Sequence, residues 1–177
     1  PQPLSSFFRL RESVRAAAPG LIMDWGFLEL WQWIGFVATF AAAFFAAWLI
    51  KAAMRALSGL GEGLNGLAML ALPTALVAAG AILNSGILRL GLTQVGLPLV
   101  GSLASTFLVI ALALFGYGLV SLVGGWFLAR AQETTSYVDE IAASLGTGLA
   151  KLLIVVGAII AVADVMGLPY EGVLTGL

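Results

Sequence analysis

Few residues in this chain are able to do chemistry, and their types restrict what it can catalyse. There is no cysteine and no histidine. Thiol nucleophiles, imidazole bases, disulfides and nearly all zinc and haem sites go with them. Within the otherwise apolar stretch Ile141–Met166 the ionisable side chains are Lys151 and Asp164. A lysine at the centre of a bilayer costs about 2.5–3.5 kcal/mol, so it must be partnered, snorkel to the headgroups, or face water. Glu140 is too far along the same helix to be its partner, roughly 16 Å at ~1.5 Å per residue. Three readings of Lys151 stand: a snorkelling structural residue, one facing a crevice or an anionic lipid, or a proton or substrate relay. Asp164 falls in the last turn, where the helix dipole disfavours negative charge, and it needs a compensating donor. Acid–base hydrolysis wants two facing carboxylates, or a base beside a nucleophile. Asp24 and Glu29 are interfacial, while Glu133, Asp139 and Glu140 fall in a polar loop. No catalytic constellation follows. The chain is expected to be neither an enzyme nor a cofactor- or metal-binding protein.

The elements that carry these residues are set by composition. The chain is 61% hydrophobic and 10% charged, against about 45–50% and 25% in soluble domains. Eight basic and nine acidic residues cannot cover a water-soluble core of this length. The net charge of −1 offers no basic stripe for nucleic acid, and such hydrophobicity excludes disorder. An all-α integral membrane protein remains. Helices need about 20 apolar residues to cross roughly 30 Å of hydrocarbon. Charge-free intervals then place crossings at about 28–50, 64–85 and 102–128, and a stretch interrupted only by Lys151 and Asp164 places a fourth at 141–166. Between the second and third, Gly91, Gly96, Pro98 and Gly101 read as a loop or broken segment. Pro73 kinks the second helix or turns it into a re-entrant hairpin. Gly167-Leu168-Pro169 ends the fourth.

Residues 1–24 differ. Phe7, Leu10, Val14, Ala17 and Leu21 form one helical stripe, with Arg9, Glu12, Ser13 and Ala16 away from it. This predicts an amphipathic interfacial helix, or one packed on a soluble domain. No signal-peptide pattern is present, and Pro1 in place of Met suggests a piece of something longer. Trp25, Trp31 and Trp33 read as an aromatic belt. The loops at 51–63 and 129–140 share one side, with Lys51, Arg55 and Arg130; Arg89 and the N-terminal arginines share the other. Charge alone does not set the topology.

Packing faces are also legible. In the first crossing, Phe36, Phe40, Phe44 and Trp48 form an aromatic stripe opposite Ala38, Ala42 and Ala46. Small residues let helices approach in lipid, so the alanine face is expected to meet protein and the aromatic face lipid. The fourth crossing carries Ala143, Gly146, Ala150, Gly157 and Ala161 at seam spacing, and the third carries Gly116, Gly118, Ser121, Gly124 and Gly125. These faces suggest a larger assembly.

The last forty residues, from Tyr137-Val-Asp139-Glu-Ile through Lys151 and Ala163-Asp164-Val-Met-Gly167 to Val173–Leu177, resemble the small-conductance mechanosensitive channel family. A mid-helix lysine, an Asp-x-x-Gly turn and a lead into a pore helix occur there in that order. The resemblance implies that helix 102–128, with Trp126, Phe127 and Arg130 near its end, is the outer tension-sensing helix. Residues 167–177 then lead into a pore helix beyond the chain, and the first two crossings are the extra helices of longer members. The lipid-facing or tension-sensing set is then Phe36, Phe40, Phe44 and Trp48, expected from the packing faces, together with Trp126, Phe127, Arg130 and Lys151. The resemblance also implies a homoheptamer in a bacterial inner membrane, loops 51–63 and 129–140 in the cytoplasm, and lipids and permeating ions as partners. Two other classes remain open: a membrane-embedded scaffold subunit, and a fragment of a secondary transporter, for which Pro73 and Lys151 speak.

Overall fold

The computed structural model describes residues 6–25, 28–59, 66–91, 98–131 and 137–168. Five α-helices follow in order: α1 (Ser6–Ala17), α2 (Leu30–Ser58), α3 (Gly66–Arg89), α4 (Pro98–Ala131) and α5 (Tyr137–Val165). A 3-10 turn at Pro19–Ile22 and a minimal hairpin, β1 (Asp24–Trp25) on β2 (Leu28–Glu29), link α1 to α2. The four long helices have 29, 24, 34 and 29 residues. At ~1.5 Å per residue even the shortest spans about 36 Å, enough for the hydrocarbon layer. The chain is an all-α, multi-pass membrane protein with a short N-terminal helix.

The helices extend past the expected crossings because a charge ends the membrane, not the helix. α2 continues through Lys51 and Arg55, both good helix formers, to Ser58. α4 begins at Pro98, where the fixed φ of proline suits a first turn, so the later part of the expected loop is helical. Residues 92–97, with Gly96, lie outside the described residues, as do 60–65, 132–136 and 169–177. α3 runs unbroken through Pro73, which removes the re-entrant alternative. Two residues after the last residue of α3, Gly91 takes φ +66°, a left-handed closure that favours glycine.

Neighbouring helices are antiparallel, and each large interface joins sequence neighbours: α2 on α3, α3 on α4, α4 on α5. The helices therefore form a row rather than a closed four-helix bundle. α3 is the most enclosed, and the span of α5 has no buried residue. Glycines set the approach distances. A Cβ on Gly35 or Gly86 of α2 and α3 would collide with Leu90 or Thr39 respectively, and one on Gly80 would lie 3.2 Å from the Leu108 Cα. Ala43, Ala71, Ala75, Ala79 and Ala111 are buried along the same interfaces. Ser105 donates to Asn84 Oδ1 across α3 and α4 at 3.1 Å.

The packing phase on α2 is a correction. The seam with α3 uses Gly35, Thr39 and Ala43, whereas Ala38 and Ala42 are exposed and Ala46 is half-buried. On the aromatic stripe, Phe40, Phe44 and Trp48 are exposed, but Phe36 packs against the core cluster and against Phe40.

That cluster lies at one face, where α2 and α4 begin and α3 ends: Leu28, Trp31, Ile87, Leu90 and Ala104. Phe7, Val14 and Leu21 of the N-terminal segment dock on it, while Leu10 and Ala17 stay exposed. α1 therefore packs on the chain's own membrane domain, and no separate soluble domain is needed to cover its apolar stripe. Trp31, expected in an aromatic belt, is instead buried and donates its indole N–H to Glu29. Trp33 also packs against the cluster; the side chain of Trp25 lies outside the described residues. Glu29 accepts from Arg11 as well, closing an ion pair between α1 and the start of α2. Gln32 is 2% exposed. Its amide donates to the Leu90 carbonyl at 3.0 Å and its Oε1 accepts the Glu29 N–H at 3.0 Å. The Leu90 carbonyl is one of the groups a helix C-terminus leaves unsatisfied, and stranding a buried polar group costs about 1–3 kcal/mol. Gln32 thus ties the end of α3 to the start of α2.

Candidate functional site

α4 and α5 carry most of the residues singled out by the sequence. Lys151 is the middle residue of α5, equally far from Tyr137 and Val165. Its Nζ lies 4.9 Å from the ring centroid of Tyr117, near the middle of α4. Among the described residues no carboxylate pairs with it. A desolvated cation–π contact is worth about 2 kcal/mol or more, comparable with the about 2.5–3.5 kcal/mol that a lysine costs at the bilayer centre. The tyrosine ring therefore offsets most of the cost of placing an ammonium there. This geometry is a fourth arrangement, beside the three that the sequence left open: a lysine facing an aromatic ring of the neighbouring helix.

Above and below this contact the two helices approach through glycine. Gly116 faces Ile154 with ordinary clearance for a Cβ, while one on Gly124 would collide with the side chain of Thr147. Thr147 donates its hydroxyl to the Ala143 carbonyl at 2.7 Å, and both its hydroxyl and its methyl press on Gly124. Thr147 fills the interval between Ala143 and Ala150, both half-buried. Gly146 and Gly157, expected in a packed seam, have open space where a Cβ would point, and Ala161 is half-buried. The small face of α5 is thus only partly used within the chain.

Two crevices open between α4 and α5. One, of about 700 Å³, is floored by Val120, Gly124, Ala143 and Thr147, with Phe127 and Arg130 among its lining residues. The other, of about 520 Å³ and almost wholly apolar, runs from Tyr117 and Ile154 to Ala163 and Leu168. Arg130 holds its guanidinium 5.3 Å from the Trp126 ring centroid, and Trp126 meets Phe127 edge to face at 5.1 Å. Both aromatic rings are more than half exposed. A cation with exposed aromatics at a helix end is the arrangement of a headgroup anchor.

The far end of α5 closes as its sequence suggested. Gly167 takes φ +67°, its N–H donates to the Asp164 carbonyl at 2.9 Å, and the Leu168 N–H reaches Ala163 at 2.8 Å. This is a Schellman closure. The Asp164 side chain is exposed and makes no ion pair among the described residues. Residues Val173–Leu177, on which the resemblance also rests, lie outside the described residues.

Sequence reasoning missed Tyr117 and Thr147; the signal available was a tyrosine at the depth of Lys151 in the neighbouring span. Gly61, Gly63 and Gly66 match a GxGxxG spacing, but they follow a membrane-length helix rather than a strand, so the phosphate-binding context of that motif is missing. No group of three or more potential metal ligands occurs among the described residues. Compared with family models, curated proteins and solved structures, the chain matches none.

Proposed function

We propose that this chain is the transmembrane sensor region of a mechanosensitive ion channel subunit. The observation that carries the reading is the α4–α5 pair. Two long helices touch along a narrow seam of glycine, threonine and one mid-membrane cation–π contact, and apolar crevices lie along it. Such an interface can be rearranged by a change in lipid occupancy or helix tilt without stranding a hydrogen bond. Tension that tilts the outer helices and draws lipid from the crevices would then bias the pair toward a second packing, and a ligand acts only through its differential affinity for the two states.

In this reading α4, with Trp126, Phe127 and Arg130, is the sensing helix. α5 delivers the movement through the Asp164–Gly167 turn to a pore segment that follows. The open face of α5, with Gly146 and Gly157, meets a second copy in a homo-oligomer, a heptamer in the resemblance. The exposed Phe40, Phe44 and Trp48 meet lipid, the location is a bacterial inner membrane, and the partners are lipids and permeating ions. The unbroken course of α3 through Pro73 removes one feature that favoured a transporter.

Osmotic downshock tests this reading. Cells lacking their own tension-gated channels should survive when the gene's whole product is expressed, and should not when only residues 1–177 are. Failure of the whole product to protect, or protection by these residues alone, would contradict it.

A further inference from the structure

The end of the membrane domain that bears α1 holds a groove that the sensor reading does not use. Phe8, Arg11, Glu12, Arg15, Pro19 and Ile22 line a depression of about 500 Å³ between α1 and the 3-10 turn, within the roughly 300–1,000 Å³ of small-molecule sites. Its depth in the membrane is fixed by the docking of α1. Phe7 lies against Gly91 at the end of α3 and 6.0 Å from the Trp31 ring at the start of α2. The groove therefore stands at headgroup level, with Phe8 and Met23 exposed beside it, 50% and 68% respectively.

The charges in the groove are divided. Arg11 is engaged by Glu29. Arg15 and Glu12 are exposed and, among the described residues, neither forms an ion pair. They are three residues apart on one helix face, a spacing at which opposite charges commonly meet, yet they do not bond each other. The groove thus offers a guanidinium and a carboxylate, neither in an ion pair among the described residues, beside the apolar side chains of Phe8, Pro19 and Ile22. A guanidinium suits a phosphate diester, and a carboxylate suits an ammonium that can donate hydrogen bonds.

We propose that this groove binds the headgroup of a zwitterionic phospholipid carrying a primary ammonium, an ethanolamine phospholipid, with its phosphate on Arg15 and its ammonium on Glu12. A choline headgroup has the same charges, but its quaternary nitrogen has no proton to donate. The site should therefore discriminate between two lipids of equal net charge. The inference rests on the membrane location alone and holds whether or not the chain belongs to a channel.

The test is competition between dioleoyl-phosphatidylethanolamine and dioleoyl-phosphatidylcholine for the detergent-solubilised chain, read by native mass spectrometry as the ratio of bound lipids. The expected ratio favours ethanolamine by about two- to five-fold, the scale of one exposed ion pair. Glu12→Ala, which removes the acceptor altogether, should bring it to parity, and Arg15→Gln should lower retention of both lipids. Both side chains are exposed, so neither variant disturbs the core. Parity in the unaltered chain, or a preference that survives Glu12→Ala, would overturn the proposal. So would Arg15→Gln leaving retention of both lipids unchanged.

Discussion

Gly80→Leu should separate α3 from α4 and destabilise the membrane domain. The Cβ position of Gly80 lies 3.2 Å from the Leu108 Cα and equally near side-chain atoms of Leu108 and Phe107. A backbone atom cannot swing aside as a side-chain tip can, so relief requires the helices to move apart. Overpacking of this kind costs about 1–3 kcal/mol, and loss of the adjacent Ser105–Asn84 hydrogen bond adds to it. Gly157→Leu is the internal comparison, because open space lies beyond Gly157. Within the isolated chain it should change stability by no more than about 0.5 kcal/mol. Denaturation of the two variants in mixed micelles checks the contrast. Equal losses would mean that the row of helices is not the packed state. If α5 meets a second copy, as proposed, Gly157→Leu should reduce oligomer formation where it spares the fold, and native mass spectrometry separates the two effects.

Lys151→Leu should lower the tension needed for opening in the sensor reading. The ammonium over Tyr117 contributes about 2 kcal/mol to holding α5 on α4, and leucine leaves both helices equally content in lipid. Tyr117→Leu should shift the threshold in the same direction, and the double variant should add little to either, since each removes the same contact. Tyr117→Phe keeps an aromatic face and should behave as the unaltered protein. Thresholds unmoved by Lys151→Leu would reduce Lys151 to a structural residue. Additive shifts would show that Lys151 and Tyr117 act through different partners.

Much of this architecture is legible in the sequence, for a simple reason. Lipid admits long apolar helices and few alternatives, so charge-free intervals locate three spans and an apolar stretch broken only by Lys151 and Asp164 locates the fourth. The Gly167 stop is legible as well, because a left-handed residue ahead of a proline has few other uses. The phase of packing on α2 is not. Its run Ala41-Ala-Ala43-Phe-Phe-Ala46-Ala offers small residues every four positions in more than one register. The register that packs is decided by Gly86 on α3 and Leu90 just after it, some forty or more residues away. The docking of α1 depends likewise on distant groups, Gly91 for Phe7 and Glu29 for Arg11. The role of Gln32 is not legible either, because the Leu90 carbonyl that it binds is 58 residues away. At the α4–α5 seam, Lys151 stands out by charge, but Tyr117 is identified only once the antiparallel register brings the two to one depth.

Current through a membrane patch under controlled suction is the most direct test of the sensor reading. The gene's whole product, purified and reconstituted into liposomes, should give no steps at rest and discrete conductance steps above a reproducible tension, at a threshold moved by Lys151→Leu. Membranes that contain the assembled protein yet rupture without a single tension-dependent opening would contradict it.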